Sequence, residues 1–222
     1  MVDFGSRQGL SDFETGGIVG YVEDLKRAKT PLGANPSSPG GYAGQEDAVC
    51  GWILKCPSTM VKIIGIDPGL AATGIGLVQG KGTRLSGYSY GCIQTSSRDK
   101  IATRLDCIYT KLSKLLADEK PDLMVVEAAF SLNKYPKSGI DLGKVTGVIL
   151  LAGHRAGIPV TEVAVREAKK ILTGNGNAGK EQLEKAVRRT ICAFDPIRPY
   201  HASDAIGLAI IGLYRYDRLH RG

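Results

Sequence analysis

The sequence predicts an α/β chain, with a five-stranded mixed sheet flanked by helices on both faces. Three observations carry this. Val61–Ile66 is a continuous apolar run, as a strand buried on both faces requires. Ile101–Asp118 sets Ile101, Leu105, Ile108, Leu112, Leu115 and Leu116 at helical spacing, the mark of an amphipathic helix. Three strand patterns come before helices and strands begin to alternate, an order that implies a mixed sheet covered by helices.

In chain order, residues 1–59 stand apart. Thr30–Gly44 is dense in Pro, Gly and Ser and too poor in large apolar residues to offset the entropy of ordering. The segment reads as a disordered N-terminal extension or a mis-assigned upstream start, with a short helix around Gly20–Ala28. Met60 is followed at once by the first buried strand, so the functional domain is expected over 60–222. Thr73–Val78 and Leu85–Thr95 are the next two strands, joined by the turn-forming Gln79–Gly82. After the amphipathic helix, Pro121–Asp122 introduces a short strand, Leu123–Val126. Gly139–Arg155 reads as a helix and Pro159–Val165 as the fifth strand. Helices over Val165–Leu172, Lys180–Ala193 and from about Ala202 complete the order.

Charge divides the chain at the same place. Residues 1–59 hold five basic and seven acidic residues, against 24 basic and 15 acidic after them, so the net +7 is concentrated as +9 on 60–222. A basic domain in a chain of pI near 9.1 favours a polyanionic partner. The five cysteines, Cys50, Cys56, Cys92, Cys107 and Cys192, are odd in number and scattered, which fits a reducing compartment. Cys50 and Cys56 lack a second pair or nearby histidine to complete a zinc site. The longest apolar runs, Gly147–Gly153 and Ala205–Tyr214, fall short of the ~20 residues of a membrane span. The expectation is a cytoplasmic protein without membrane contact.

Chemistry concentrates at three points. In Ile66-Asp67-Pro68-Gly69 a carboxylate ends the first buried strand, and Pro and Gly then bend the chain away. That end of an α/β sheet is where ligands usually bind. Val125-Val126-Glu127 repeats the arrangement on a second strand. His201 and Asp204, three apart at the start of an apolar helix, can face one side. Each alone has a commonplace role as a turn former, exposed strand end or helix cap. Together, three carboxylates and an imidazole at one sheet edge would repel without a cation, and hard oxygen ligands suit Mg²⁺ or Mn²⁺. Two such ions can promote phosphodiester hydrolysis.

Five segments in order, GIDPGLAATGIGLV, GCIQT, VVEAAF, GNGNAGKEQLEKAV and HASDAIGLAI, resemble the RuvC family of Holliday-junction endonucleases. The resemblance spans essentially all of 60–222 and none of 1–59. It implies an RNase H-like fold, a homodimer, and paired symmetric nicks in four-way DNA junctions using two Mg²⁺ ions per site, with Mn²⁺ able to substitute. It also implies RuvA and RuvB branch-migration subunits as partners. Carried over by position, the catalytic and metal-binding set falls on Asp67, Glu127, His201 and Asp204. Many relatives carry Asp where His201 stands, a change that removes one negative charge. The junction-stacking aromatic falls on Phe130, where stacking would contribute roughly 1–3 kcal/mol per base. DNA-binding basic residues fall on Lys169 and Lys180.

Two rivals follow from the same residues. A catalytically silent junction-binding module would have no use for clustered carboxylates. Gly174–Lys180, GNGNAGK, imitates a phosphate-cradling loop, but Glu181 stands where Ser or Thr would meet Mg²⁺, and the preceding segment reads as helix. A sugar-kinase or actin-like ATPase would further need a second related domain.

Overall fold

The structure is a computed structural model that describes residues 23–29, 60–128 and 136–219. Its strands are β1 (Glu23–Lys29), β2 (Val61–Asp67), β3 (Ala72–Lys81), β4 (Arg84–Gln94), β5 (Leu123–Glu127) and β6 (Val160–Val163). Its helices are α1 (Ile101–Glu119), α2 (Pro136–Arg155), α3 (Val165–Thr173), α4 (Lys180–Thr190) and α5 (Tyr200–Leu219). The sheet runs in the order β1-β4-β3-β2-β5-β6. β2, β3 and β4 form an antiparallel meander, and β5 and β6 extend it parallel to β2.

All five strands expected from the sequence are present, with ends shifted by a few residues. The short helix expected around Gly20–Ala28 is not. Glu23–Lys29 instead pairs antiparallel with β4, through partners such as Tyr90 and Tyr88. The unpaired N–H and C=O row of an edge strand is a template for pairing, and it overrides weak local helix preference. The sheet thus gains a sixth strand from the leading segment.

Alternation along the strands sends side chains to two separate cores. On one face Ile64, Ile66, Ile75 and Leu77 meet Ile108, Leu112 and Leu116 of α1 and Val145 and Ile149 of α2. On the other, Ile63, Val78, Leu123 and Val125 meet α5 through Ala202, Ile206, Ala209 and Ile210, with Leu183 and Val187 of α4 alongside. Helices therefore cover both faces, as expected.

The second face has a particular construction. A methyl group on Gly65 would stand 2.0 Å from the Ala205 carbonyl oxygen, one on Gly76 2.4 Å from Ile206 N, and one on Gly74 2.1 Å from the His201 oxygen. These glycines, on one face of the β2–β3 pair, let the α5 backbone lie directly on the strands. Gly74 pairs with Asp67 across the hairpin, so this close approach brings the first turn of α5 to the end of β2.

Candidate active site

Asp67 ends β2, Glu127 ends the adjacent parallel β5, and His201 and Asp204 occupy the first turns of α5. The structure brings all four together. Asp67 is buried, and its Oδ2 lies 2.5 Å from His201 Nδ1. With Asp67 ionised, the imidazole N–H donates. That bond chiefly raises the pKa of His201, against the opposing effects of burial and Lys180.

The carboxylates strain against one another. Burial first, then hydrogen bonding to and repulsion from Asp67 and repulsion from Asp204, push Glu127 up to about 8. Burial and the Asp67 charge raise Asp204 to about 6, opposed by Lys180, His201 and Lys169. Asp204 Oδ1 is buried without a hydrogen-bond partner. A buried carboxylate oxygen normally has one, so this atom is free to accept an incoming donor or cation. Oxygen donors with one imidazole, crowded until two acids resist ionisation, suit a hard divalent cation. Among the described residues, no three of these groups yet form a finished coordination cluster. The Asp67–His201 bond occupies donors that a shared cation would receive.

Lys169 on α3 and Lys180 at the start of α4 both act electrostatically on Asp204, so the two basic residues singled out in the sequence do border the acidic group. Phe130 lies outside the described residues. The GNGNAGK segment joins helix α3 to helix α4, with Gly174 left-handed at the end of α3 and Gly179 capping α4. A strand does not lead into it, which removes the context of a nucleotide-phosphate loop.

The sequence did not reveal how the bend after Asp67 is held. Thr73 Oγ1 donates to the Gly69 carbonyl at 2.8 Å, and Thr95 Oγ1 to the Leu70 carbonyl at 2.5 Å. Arg104 Nε in turn donates to Thr95 Oγ1 at 2.8 Å. Three segments thus fasten the turn that follows Asp67. Thr73 and Thr95 at the two ends of paired strands were the available signal, but their partners are set by the fold. Elsewhere Cys92, Cys107 and Cys192 are free thiols. No described helix is long and apolar enough to cross a membrane.

Residues 63–212 match the family described as crossover junction endodeoxyribonuclease RuvC. The crossover junction endodeoxyribonuclease RuvC of Prosthecochloris aestuarii is 38% identical over 151 residues, covering 68% of this chain and 80% of that one. Its namesake in Carboxydothermus hydrogenoformans is 37% identical over 159 residues, covering 72% and 99%. The structure of T. thermophilus RuvC in complex with a Holliday junction substrate is similar with a TM-score of 0.66 at 27% identity, covering 72% of this chain and 96% of that one. With residues 63–212 matched by the family model and relatives 37–38% identical over two thirds of its length, the chain belongs to the RuvC family of crossover junction endodeoxyribonucleases.

Proposed function

We propose that this chain resolves four-way DNA junctions by paired symmetric nicks, with Asp67, Glu127, His201 and Asp204 as its catalytic and metal-binding set. The convergence of three carboxylates from β2, β5 and α5 carries this reading, because holding them together has no structural benefit without a cation. The site is suited to two Mg²⁺ ions, with Mn²⁺ able to replace them; when bound, such ions supply charge neutralisation and water activation for phosphodiester hydrolysis. Asp67, which bonds His201 and acts electrostatically on Asp204 and Glu127, would hold the cations together with them. His201 lowers the site's negative charge by one relative to an aspartate, and its bond to Asp67 would have to open for both groups to hold a cation. Lys169 and Lys180 bind phosphates beside the scissile bond, and Phe130 stacks at the branch point.

Residues 60–222 are the catalytic unit, with residues 23–29 adding an edge strand to its sheet. Symmetric nicks need two such sites, hence a homodimer. The exposed Ile140 and Leu151 of α2, with open space above Gly143 and Gly147 between them, support that helix as the meeting face. The protein acts in the cytoplasm, with RuvA and RuvB as partners.

The test uses a labelled synthetic junction, a linear duplex of the same sequence, and Mg²⁺ or EDTA. Mg²⁺-dependent symmetric nicks confined to the junction are expected, and Asp67→Asn should abolish them while leaving junction binding intact. Tight binding without cuts in Mg²⁺, or in Mn²⁺ supplied in its place, would instead identify a silent binding module.

A further inference from the structure

Phe194, between α4 and α5, is 96% exposed, yet the loop that carries it is fastened down. Glu184 of α4, 3% exposed, accepts the Ile197 N–H at 2.9 Å and faces Arg188 Nε at 3.4 Å. Arg188 Nη1 donates to the Phe194 carbonyl at 3.3 Å. Ile191 and Ile197 are fully buried on either side. The backbone is therefore anchored, while its largest apolar side chain is held in water, where it adds nothing to folding.

The flanking sequence is basic. Residues 185–198 hold Lys185, Arg188, Arg189 and Arg198 against a single acid, Asp195. One cation suffices to complement the C-terminal dipole of α4, and Arg188 already serves there. Arg198 lies 4.3 Å over the ring of Tyr200, the neighbour of His201. Phe194 and His201 are seven positions apart in the chain, at most ~25 Å when extended. That is less than one helical turn of duplex, ~34 Å.

We propose that Phe194, Arg189 and Arg198 form a second DNA contact that grips a junction arm away from the cut phosphate. This rests on the junction-cutting reading above. The arginines would bind backbone phosphates, releasing counterions, and Phe194 would pack as an apolar wedge against an exposed base or sugar. A protein partner suits the site less well, because protein–protein interface centres are depleted in charge, whereas the segment carrying this phenylalanine holds four basic residues against one acid.

The test compares the full chain with Phe194→Ala, Phe194→Trp and Arg189→Ala in single-turnover nicking of a labelled junction with Mg²⁺. Phe194→Ala should raise the half-saturating protein concentration roughly 5- to 100-fold with an unchanged plateau rate, and Phe194→Trp should restore it. Arg189→Ala should weaken binding and lower the slope of log affinity against log salt by about one. Unchanged half-saturation in Phe194→Ala would overturn the proposal. So would loss, in that variant, of self-association seen by sedimentation of the DNA-free wild type, which would assign the ring to a protein contact. Failure of the wild type to prefer the junction over a linear duplex would instead overturn the underlying reading, and is read separately from the variants.

Discussion

On the α1–α2 face of the sheet, Ile64, Ile66 and Ile75 meet Leu112, Leu116 and Ile149, large side chain against large side chain. On the α5 face, Gly65, Gly74 and Gly76 let the backbone of a helix touch the backbone of the strands. Both faces are apolar and buried, but they hold position differently. Aliphatic packing tolerates small readjustments of rotamer and axis, whereas backbone-to-backbone contact leaves α5 little freedom to slide. The face with the tighter register carries His201 and Asp204, so the position of these two groups is set by removing side chains rather than by adding contacts.

Breaking the tighter face should have the largest effect. In Gly76→Val the new Cβ would stand 2.4 Å from Ile206 N, a backbone atom that no rotamer change can move. Loss of the cooperative melting transition and of all nicking is expected. A variant that melts and cuts like the wild type would show that α5 does not sit as described. On the opposite face Leu112→Ala should cost ~2–5 kcal/mol of stability through the cavity it leaves. Its nicking rate per folded molecule should nevertheless match the wild type, checked by denaturant unfolding alongside single-turnover assays. A large fall in rate would mean that the two faces are mechanically coupled.

The same contrast explains what could be read from the sequence. The strands ending in Asp67 and Glu127, the α1 stripe and the start of α5 were legible because hydrophobic periodicity and punctuation are local. The glycines were visible, but their purpose was not, since it depends on a helix more than a hundred residues away. The pairing of Glu23–Lys29 with β4 was missed because only the edge of a finished sheet creates its partner. The Arg104–Thr95–Leu70 chain and the Asp67–His201 bond are likewise long-range. Nothing in the letters of residues 191–199 marks Phe194 as exposed rather than core.

A third, smaller effect is a titration, because among the described residues the carboxyls with raised pKa values lie on the α5 face. Folding raises Glu127 to about 8 and Asp204 to about 6. The folded state therefore binds more protons than the unfolded chain between about pH 4 and 8, and metal-free stability should fall as pH rises through that window. A drop of a few degrees in melting temperature between pH 5 and 8 in EDTA is expected, smaller in Glu127→Gln. Mg²⁺ should raise the melting temperature more at pH 8 than at pH 5, where it competes with protons. A pH-independent Mg²⁺ effect would place the cation elsewhere.

The smallest effect tests whether glycine is costly wherever it is not needed for close approach. Gly143 lies within α2, and a Cβ there would meet nothing within 4 Å, the opposite of Gly76. Glycine in a helix interior is less favourable than alanine by roughly 0.5–1 kcal/mol, because the unfolded chain has more backbone freedom to lose. Gly143→Ala should therefore raise stability by about that amount, measured by denaturant unfolding at dilutions where any dimer has dissociated. Raising the protein concentration then probes α2 as the meeting face. If a second copy packs over Gly143, the added methyl group should weaken dimerisation in sedimentation equilibrium even as each subunit becomes more stable. Equal dimer affinity in the two proteins would move the meeting face away from that turn of α2, while a loss of subunit stability would show that the space above Gly143 is filled within one chain.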